Sequence, residues 1–283
     1  MVDVRDRTYE AIVLRARDWR EQDRLLTVVS EEGGPETVIS RGAKKPGSTL
    51  AACSQPFCRA TVTLSPAKNG VSFLKEGRQE ESYLPAGGDV ERFAYLSYFS
   101  ELLLAGWPEN RPEPGLFALA RAAFLMIKLD DELSRTARFF ELRFLDQLGL
   151  LPDLTACAAC GQSPASADPR RFLLSPQRGQ LLCESCAEVS YETSGVSAGS
   201  AQLGREANVA GPAPGNSPRN GLPLLSPGAL RYMATLREAP FSKVSRLRLS
   251  PALDLEIEQA LTPYLAYHLD YAGRAKAVLK ELL

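Results

Sequence analysis

Histidine is almost absent from this chain of 283 residues: there is one, His268. Without a second histidine, the usual acid–base schemes lose their base and its partner. In Tyr264-Leu265-Ala266-Tyr267-His268-Leu269, at helical spacing, the residue reads as packing rather than chemistry. No G-x-x-x-x-G-K-[ST] loop is present, which argues against a P-loop nucleotide hydrolase. Gly33-Gly34 and Gly87-Gly88 read as turns, and no pair of carboxylates stands out from solvated charge. No run approaches about 18 apolar residues, so no membrane-spanning helix is expected. Met1-Val2-Asp3-Val4-Arg5-Asp6 lacks the apolar core of a secretory signal. An excess of one charge is missing too. Lys and Arg number 33 against 34 Asp and Glu, for a net charge of −1. That excludes a globally basic nucleic-acid binder but not a local basic face. Six cysteines in a chain this long do not make a disulfide scaffold; reduced thiols fit a cytoplasmic protein.

What is present suggests two units. Hydrophobic content of 45% is ample for sizeable cores. In the first part, short apolar runs at 8–17, 23–30 and 36–40 precede a clear alternation at 57–64. There Cys58, Ala60, Val62 and Leu64 share one face and Arg59, Thr61 and Thr63 the other. Period two marks a half-buried strand. Val71–Leu74 and Ser82–Leu84 continue the strands, and Gly33-Gly34-Pro35, Lys68-Asn69-Gly70 and Glu76-Gly77 supply turns. Short strands so spaced predict a small antiparallel barrel.

After Gly87-Gly88 the period changes. Asp89 is placed to cap a helix carrying Phe93, Leu96, Phe99, Leu102 and Leu103. A nearly apolar second helix follows over Leu116–Leu129, which implies burial in a bundle. A third opens at Asp130-Asp131 and ends near Gly149. From Ser190 to about Gly221, Ser, Gly, Ala, Pro and Asn dominate, and the expectation is a flexible insertion at about 190–222. Helical character resumes near Pro227, and a last helix is expected from Ala252 to Leu282, interrupted near Pro263. No internal repeat is visible.

Cys157-Ala-Ala-Cys160 and Cys183-Glu-Ser-Cys186 form two C-x-x-C pairs about twenty residues apart. Each turn can aim two sulfurs at one point, so the four suit one tetrahedral, structural Zn2+ per chain, in a zinc segment spanning 155–188. Phe172-Leu173-Leu174 and Gly179-Gln180-Leu181-Leu182 are expected as two strands returning the second pair to the first. Cys53 and Cys58 are a looser pair, either a metal or redox site or two small buried residues.

Basic residues gather in the barrel region. Arg15, Arg17, Arg20 and Arg24 precede Ser40-Arg41-Gly42-Ala43-Lys44-Lys45-Pro46-Gly47-Ser48, a loop with three cations and no acid. Such a loop is either ordinary solvated surface or a phosphate contact. Small barrels often bind single strands in a basic groove with aromatic stacking. Tyr9, Trp19, Phe57 and Phe73 are the aromatic candidates, though each is more often a core residue.

Glu10-Ala11-Ile12-Val13-Leu14-Arg15 with Glu21-Gln22-Asp23-Arg24-Leu25-Leu26-Thr27, then Arg41-Gly42-Ala43-Lys44-Lys45, Gln55-Pro56-Phe57, Phe140 through Pro152 and Cys157-Ala-Ala-Cys160-Gly161, resembles the RecO family of bacterial recombination mediators. The order of these stretches is what is specific, and the likeness covers most of the chain outside 190–222. It implies an α+β protein: an N-terminal OB-fold barrel (1–84) followed by a helical domain (85–283) carrying the zinc segment. It implies no enzymatic turnover. It implies binding of single- and double-stranded DNA, strand annealing, and engagement of RecR and the single-strand-binding protein to load RecA in DNA repair, in the nucleoid. By that analogy Arg15, Arg17, Arg24, Arg41, Lys44 and Lys45 are DNA contacts. The long polar insertion departs from the family pattern. The competing readings are a zinc-ribbon transcription or protein-interaction factor, and a thiol oxidoreductase, which needs accessible low-pKa cysteines.

Overall fold

The computed structural model of the chain describes residues 6–65, 71–84, 86–166, 170–193, 222–269, 271 and 273–282. Five strands form a closed barrel: β1 Arg7–Trp19, β2 Asp23–Ser30, β3 Gly34–Ser40, β4 Cys58–Ser65 and β5 Ser72–Ser82. Their order is β1-β2-β3-β5-β4, closing back on β1 through an antiparallel β1–β4 ladder. The β3–β5 pairing is parallel and short, Val38 with Ser72 and Ile39 with Phe73. This is the expected OB-fold. The alternation in β4 is realised, with Cys58, Ala60, Val62 and Leu64 buried. They pack with Tyr9, Ala11, Val13, Leu26, Val28, Val38, Cys53 and Leu74 inside the barrel.

β1 is thirteen residues long and serves two surfaces. Its pairing with β2 shifts between Val13 and Arg15, leaving Leu14 as an extra residue. A bulge of this kind places two successive side chains on one face. Ile12 and Leu14 lie on the outer face in the strand's regular phase and join the helical core with Val29 and Phe57, and the bulge keeps Arg15 on that same outer face. Beyond the bulge, Arg15, Arg17 and Trp19 take the outward positions, while Ala16 turns inward.

β5 corrects the expected turn at Glu76-Gly77. It is one strand, with Gly77 paired to Val62 in mid-ladder. A Cβ on Gly77 would lie 2.4 Å from Cys53 Sγ, so the glycine serves close approach of the 48–55 turns. The Lys68-Asn69-Gly70 turn lies outside the described residues.

A 3-10 turn at Ala86–Gly88 leads to eight helices among the described residues. These are α1 Val90–Gly106, α2 Pro114–Leu129, α3 Leu133–Gln147, α4 Glu184–Thr193, α5 Pro227–Glu238, α6 Phe241–Val244, α7 Pro251–Leu269 and α8 Arg274–Leu282. Asp89 caps α1, accepting from the Arg92 amide at 3.0 Å. Phe99 stacks on Phe140 at 4.2 Å between α1 and α3. Beside them the buried Glu141 meets Arg138 at 3.0 Å, Lys276 at 3.4 Å and the Tyr98 hydroxyl at 2.5 Å. Burial alone would push the Glu141 carboxyl up, but these two cations and the hydroxyl hold it below its usual range. Lys276 thereby ties α8 to α1 and α3.

The expected break at Pro263 is also corrected. Proline forfeits one i→i−4 bond, yet α7 runs through it, carried by the buried Ile257, Leu261, Tyr264 and Leu265. The helix ends at Leu269 instead, and Gly273 at φ 61° precedes α8. β6 Phe172–Ser175 and β7 Gln180–Cys183 form the expected hairpin. A third strand, β8 Leu224–Leu225, pairs with β6. α4 continues to Thr193, so the start of the expected insertion is helical; its residues 194–221 lie outside the described residues.

Barrel and helices meet at Phe57. Its ring lies edge-on to Phe93 at 5.4 Å and to Phe124 at 6.0 Å, and Tyr83 meets Phe124 at 5.6 Å. Phe57 sits at φ 58°, a conformation costly for a non-glycine residue. It is held there because its amide donates to Val13 at 2.7 Å while its carbonyl accepts from Tyr83 at 2.9 Å. Phe57→Ala should therefore cost about 3–5 kcal/mol in chemical denaturation; a loss below about 1 kcal/mol would contradict this account of the junction.

Candidate nucleic-acid interface and metal site

Cross-strand register assembles one surface. Arg17 opposes Leu25, Leu25 opposes Ile39, and Ile39 opposes Phe73. Directly paired residues share a sheet face, so these four form a row across β1, β2, β3 and β5. The next row holds Arg15, Thr27 and Thr37. Leu25, Ile39 and Phe73 are only half-buried, unlike Leu26 and Val38, which point inward. Arg41, leaving β3, lays its guanidinium 4.1 Å from the Phe73 ring centroid. Trp19 is 40% exposed at the end of β1. The surface thus combines two aromatic rings and two aliphatic side chains with cations. Among the described residues, neither Arg15, Arg17, Arg41 nor Lys45 forms an ion pair.

The other two basic candidates lie at the barrel rim and are already engaged. Lys44 Nζ is 2.6 Å from Asp18 Oδ2, and Arg24 Nε is 3.9 Å from Asp18 Oδ1. Arg24 also donates to the Ser54 carbonyl at 3.1 Å. The basic loop is pinned through its backbone: the Gly42 amide donates to Asp23 Oδ1 at 2.8 Å and the Lys44 amide to the Gln22 carbonyl at 3.0 Å. Gly42, at φ 65°, provides the left-handed turn this needs.

Two aromatic candidates belong elsewhere. Phe57 is the junction residue described above. Tyr9 points into the barrel, where its hydroxyl donates to the buried Glu36. Glu36 also accepts from Ser72 at 3.1 Å and Arg7 at 3.3 Å. Burial, with the Glu36 carboxylate alongside, pushes the Tyr9 hydroxyl well above its usual range. Trp19 and Phe73 remain on the outer face. Leu25, Ile39 and Asp18 were not singled out by sequence. In Leu25-Leu26-Thr27-Val28-Val29 no alternation separates outward from inward residues, so nothing local marked Leu25 as part of a face.

The four cysteines converge in a lobe after α3. Cys157 and Cys160 lie on a turn closed by the Gly161 amide donating to the Cys157 carbonyl at 2.9 Å. Cys183 ends β7, and Cys186 is in the first turn of α4. The Ala158 amide donates to the Leu181 carbonyl at 2.8 Å, fixing the first turn to the hairpin. All four Sγ atoms lie within 4.8 Å of one another. Cys160 and Cys183 are 3.7 Å apart, close to the ~3.8 Å edge of a tetrahedron built on ~2.3 Å metal–sulfur bonds. Burial acts to raise the Cys157 thiol, but amide donors from Cys183, Cys160 and Ala159 bring it down to about 7. These four can hold a metal ion, and four donors leave no coordination position for a substrate.

Cys53 and Cys58 are buried in the barrel, and burial raises both thiols, Cys58 to about 12. They match the reading as small core residues. His268 packs 4.4 Å from Tyr264, and its burial lowers its pKa. No helix among the described residues is long and apolar enough to cross a membrane.

Two family models match the chain. "Recombination protein O N terminal" covers residues 4–83 and "Recombination protein O C terminal" residues 87–211. Similar curated proteins carry the name DNA repair protein RecO. That of Desulforamulus reducens is 28% identical over 261 residues, 92% of this chain and 89% of the relative. That of Heliobacterium modesticaldum is 31% identical over 245 residues, 86% and 78%. That of Bacillus pumilus is 28% identical over 256 residues, 90% and 86%. Barrel, helical bundle and cysteine lobe follow in the order that the two models span, and the chain belongs to the RecO family of DNA repair and recombination proteins.

Proposed function

We propose that the chain binds single- and double-stranded DNA on the outer face of its barrel and anneals complementary strands, without enzymatic turnover. The observation that carries this reading is the row Arg17–Leu25–Ile39–Phe73 with Arg41 stacked on Phe73. The rings of Phe73 and Trp19 offer stacking for unpaired bases whatever their sequence, Leu25 and Ile39 extend the apolar surface between, and the flanking guanidiniums meet phosphates. Annealing needs no fuel, because base pairing supplies the free energy; the protein has only to reduce repulsion between two phosphate backbones. With RecR, it would help load RecA onto strands coated by single-strand-binding protein, acting in the cytoplasm at the nucleoid. On this reading 1–84 is the DNA-binding domain and 85–283 the helical scaffold.

We assign the cysteine lobe to one structural Zn2+ per chain, held by Cys157, Cys160, Cys183 and Cys186. When bound, the ion crosslinks the turn before β6, the end of β7 and the start of α4. The thiols must be deprotonated to bind it, so metal is lost on acidification.

Arg15→Gln, Arg17→Gln and Arg41→Gln together should leave thermal unfolding nearly unchanged, since none pairs with a carboxylate. The slope of log affinity against log salt for a single-stranded oligonucleotide should fall by about 2, at ~0.7 per lost phosphate contact. An unchanged affinity and slope in an anisotropy titration would sink the assignment. Cys183→Ser should abolish stoichiometric zinc in elemental analysis and lower the unfolding temperature, while oligonucleotide affinity changes less than threefold. Parallel loss of both would contradict the separation of lobe and barrel.

A further inference from the structure

At the barrel rim one carboxylate faces two cations. Asp18 lies between Lys44 Nζ at 2.6 Å and Arg24 Nε at 3.9 Å. Its side chain is 64% exposed, against 31% for Lys44 and 22% for Arg24. Asp18 follows Arg17 and precedes Trp19 on β1, so the site adjoins the outer face. The carboxylate is not needed to shape the loop. Gly42 and Lys44 are held through their amides by Asp23 and Gln22, and Arg24 has its own bond to Ser54. A carboxylate facing two cations at an exposed rim has the charge and donor partners of a backbone phosphate.

Resting on the DNA-binding reading above, we propose that Asp18 is an intramolecular competitor: it occupies the Lys44–Arg24 anion site until a nucleic-acid phosphate displaces it. Exposed ion pairs are weak, so displacement is easy, but each binding event must break the two that Asp18 makes. The competitor keeps two of the cations from contributing fully to affinity. The strand is thereby held loosely enough to be released once paired.

The test is a double-mutant cycle with a single-stranded oligonucleotide at several salt concentrations. Asp18→Asn keeps the shape and an acceptor for Lys44 while deleting the charge. It should tighten binding by roughly three- to tenfold and steepen the salt slope by about 0.7–1.4, one or two phosphates' worth of counterion release. Lys44→Ala should cost less than twofold in the native background and at least fivefold in Asp18→Asn. Unchanged or weakened binding by Asp18→Asn overturns the proposal, as does an equal cost of Lys44→Ala in both backgrounds. If native binding is insensitive to salt and to the Arg15, Arg17 and Arg41 substitutions, the DNA reading fails first and takes this inference with it.

Discussion

The bulge at Leu14 is the constraint on which the arrangement depends. In a regular strand every second side chain would keep one face along all thirteen residues of β1. The shift between Val13 and Arg15 breaks that phase. On one side of it, Ile12 and Leu14 are buried against the helices; on the other, Arg15 and Arg17 face solvent. Without the extra residue, the strand that docks the barrel would send its cations inward and its alanine outward. The exposed basic face thus comes from one local irregularity, placed just after the stretch of β1 that docks the barrel.

The rest of the structure supports this strand. Phe57 accepts a strained backbone so that its amide can bond Val13 just before the bulge and its ring can enter the Phe93–Phe124 cluster. Across from Ser30, Gly34 lets Arg111 approach where a Cβ would stand 2.1 Å from its carbonyl oxygen. The Asn110 amide bonds Pro35 beside it at 2.9 Å. The cysteine lobe stands apart from these contacts. It is built on β6, β7 and α4, and its packing against the helical core passes through Leu173, Leu182 and Ala187 rather than the barrel.

Much of this was legible in the sequence where the signal was local. The alternation from Cys58 to Leu64, the Asp89 cap and the two C-x-x-C turns each depend on residues close in the chain, and each appears in the structure. The order of short motifs identified the family. What was not legible depended on distant partners. Nothing around Gly77 announces that Cys53 will press against it, so it reads as a turn. Pro263 reads as a break because the burial that carries α7 through it comes from other helices. Tyr9 and Phe57 look like stacking candidates until the barrel interior and the helical core claim them. The apolar members of the outer face, Leu25 and Ile39, read as core because an isolated strand does not reveal which face is covered.

The chain's two tryptophans allow the central claim to be tested directly, because Trp19 is 40% exposed beside the outer face and Trp107 is 2% exposed in the helical core. Intrinsic fluorescence should be followed as a single-stranded oligonucleotide is added at low and high salt. The account predicts quenching that persists in Trp107→Phe, disappears in Trp19→Phe and fades as salt rises. Emission from Trp19 that stays constant while an independent assay reports bound DNA would contradict it.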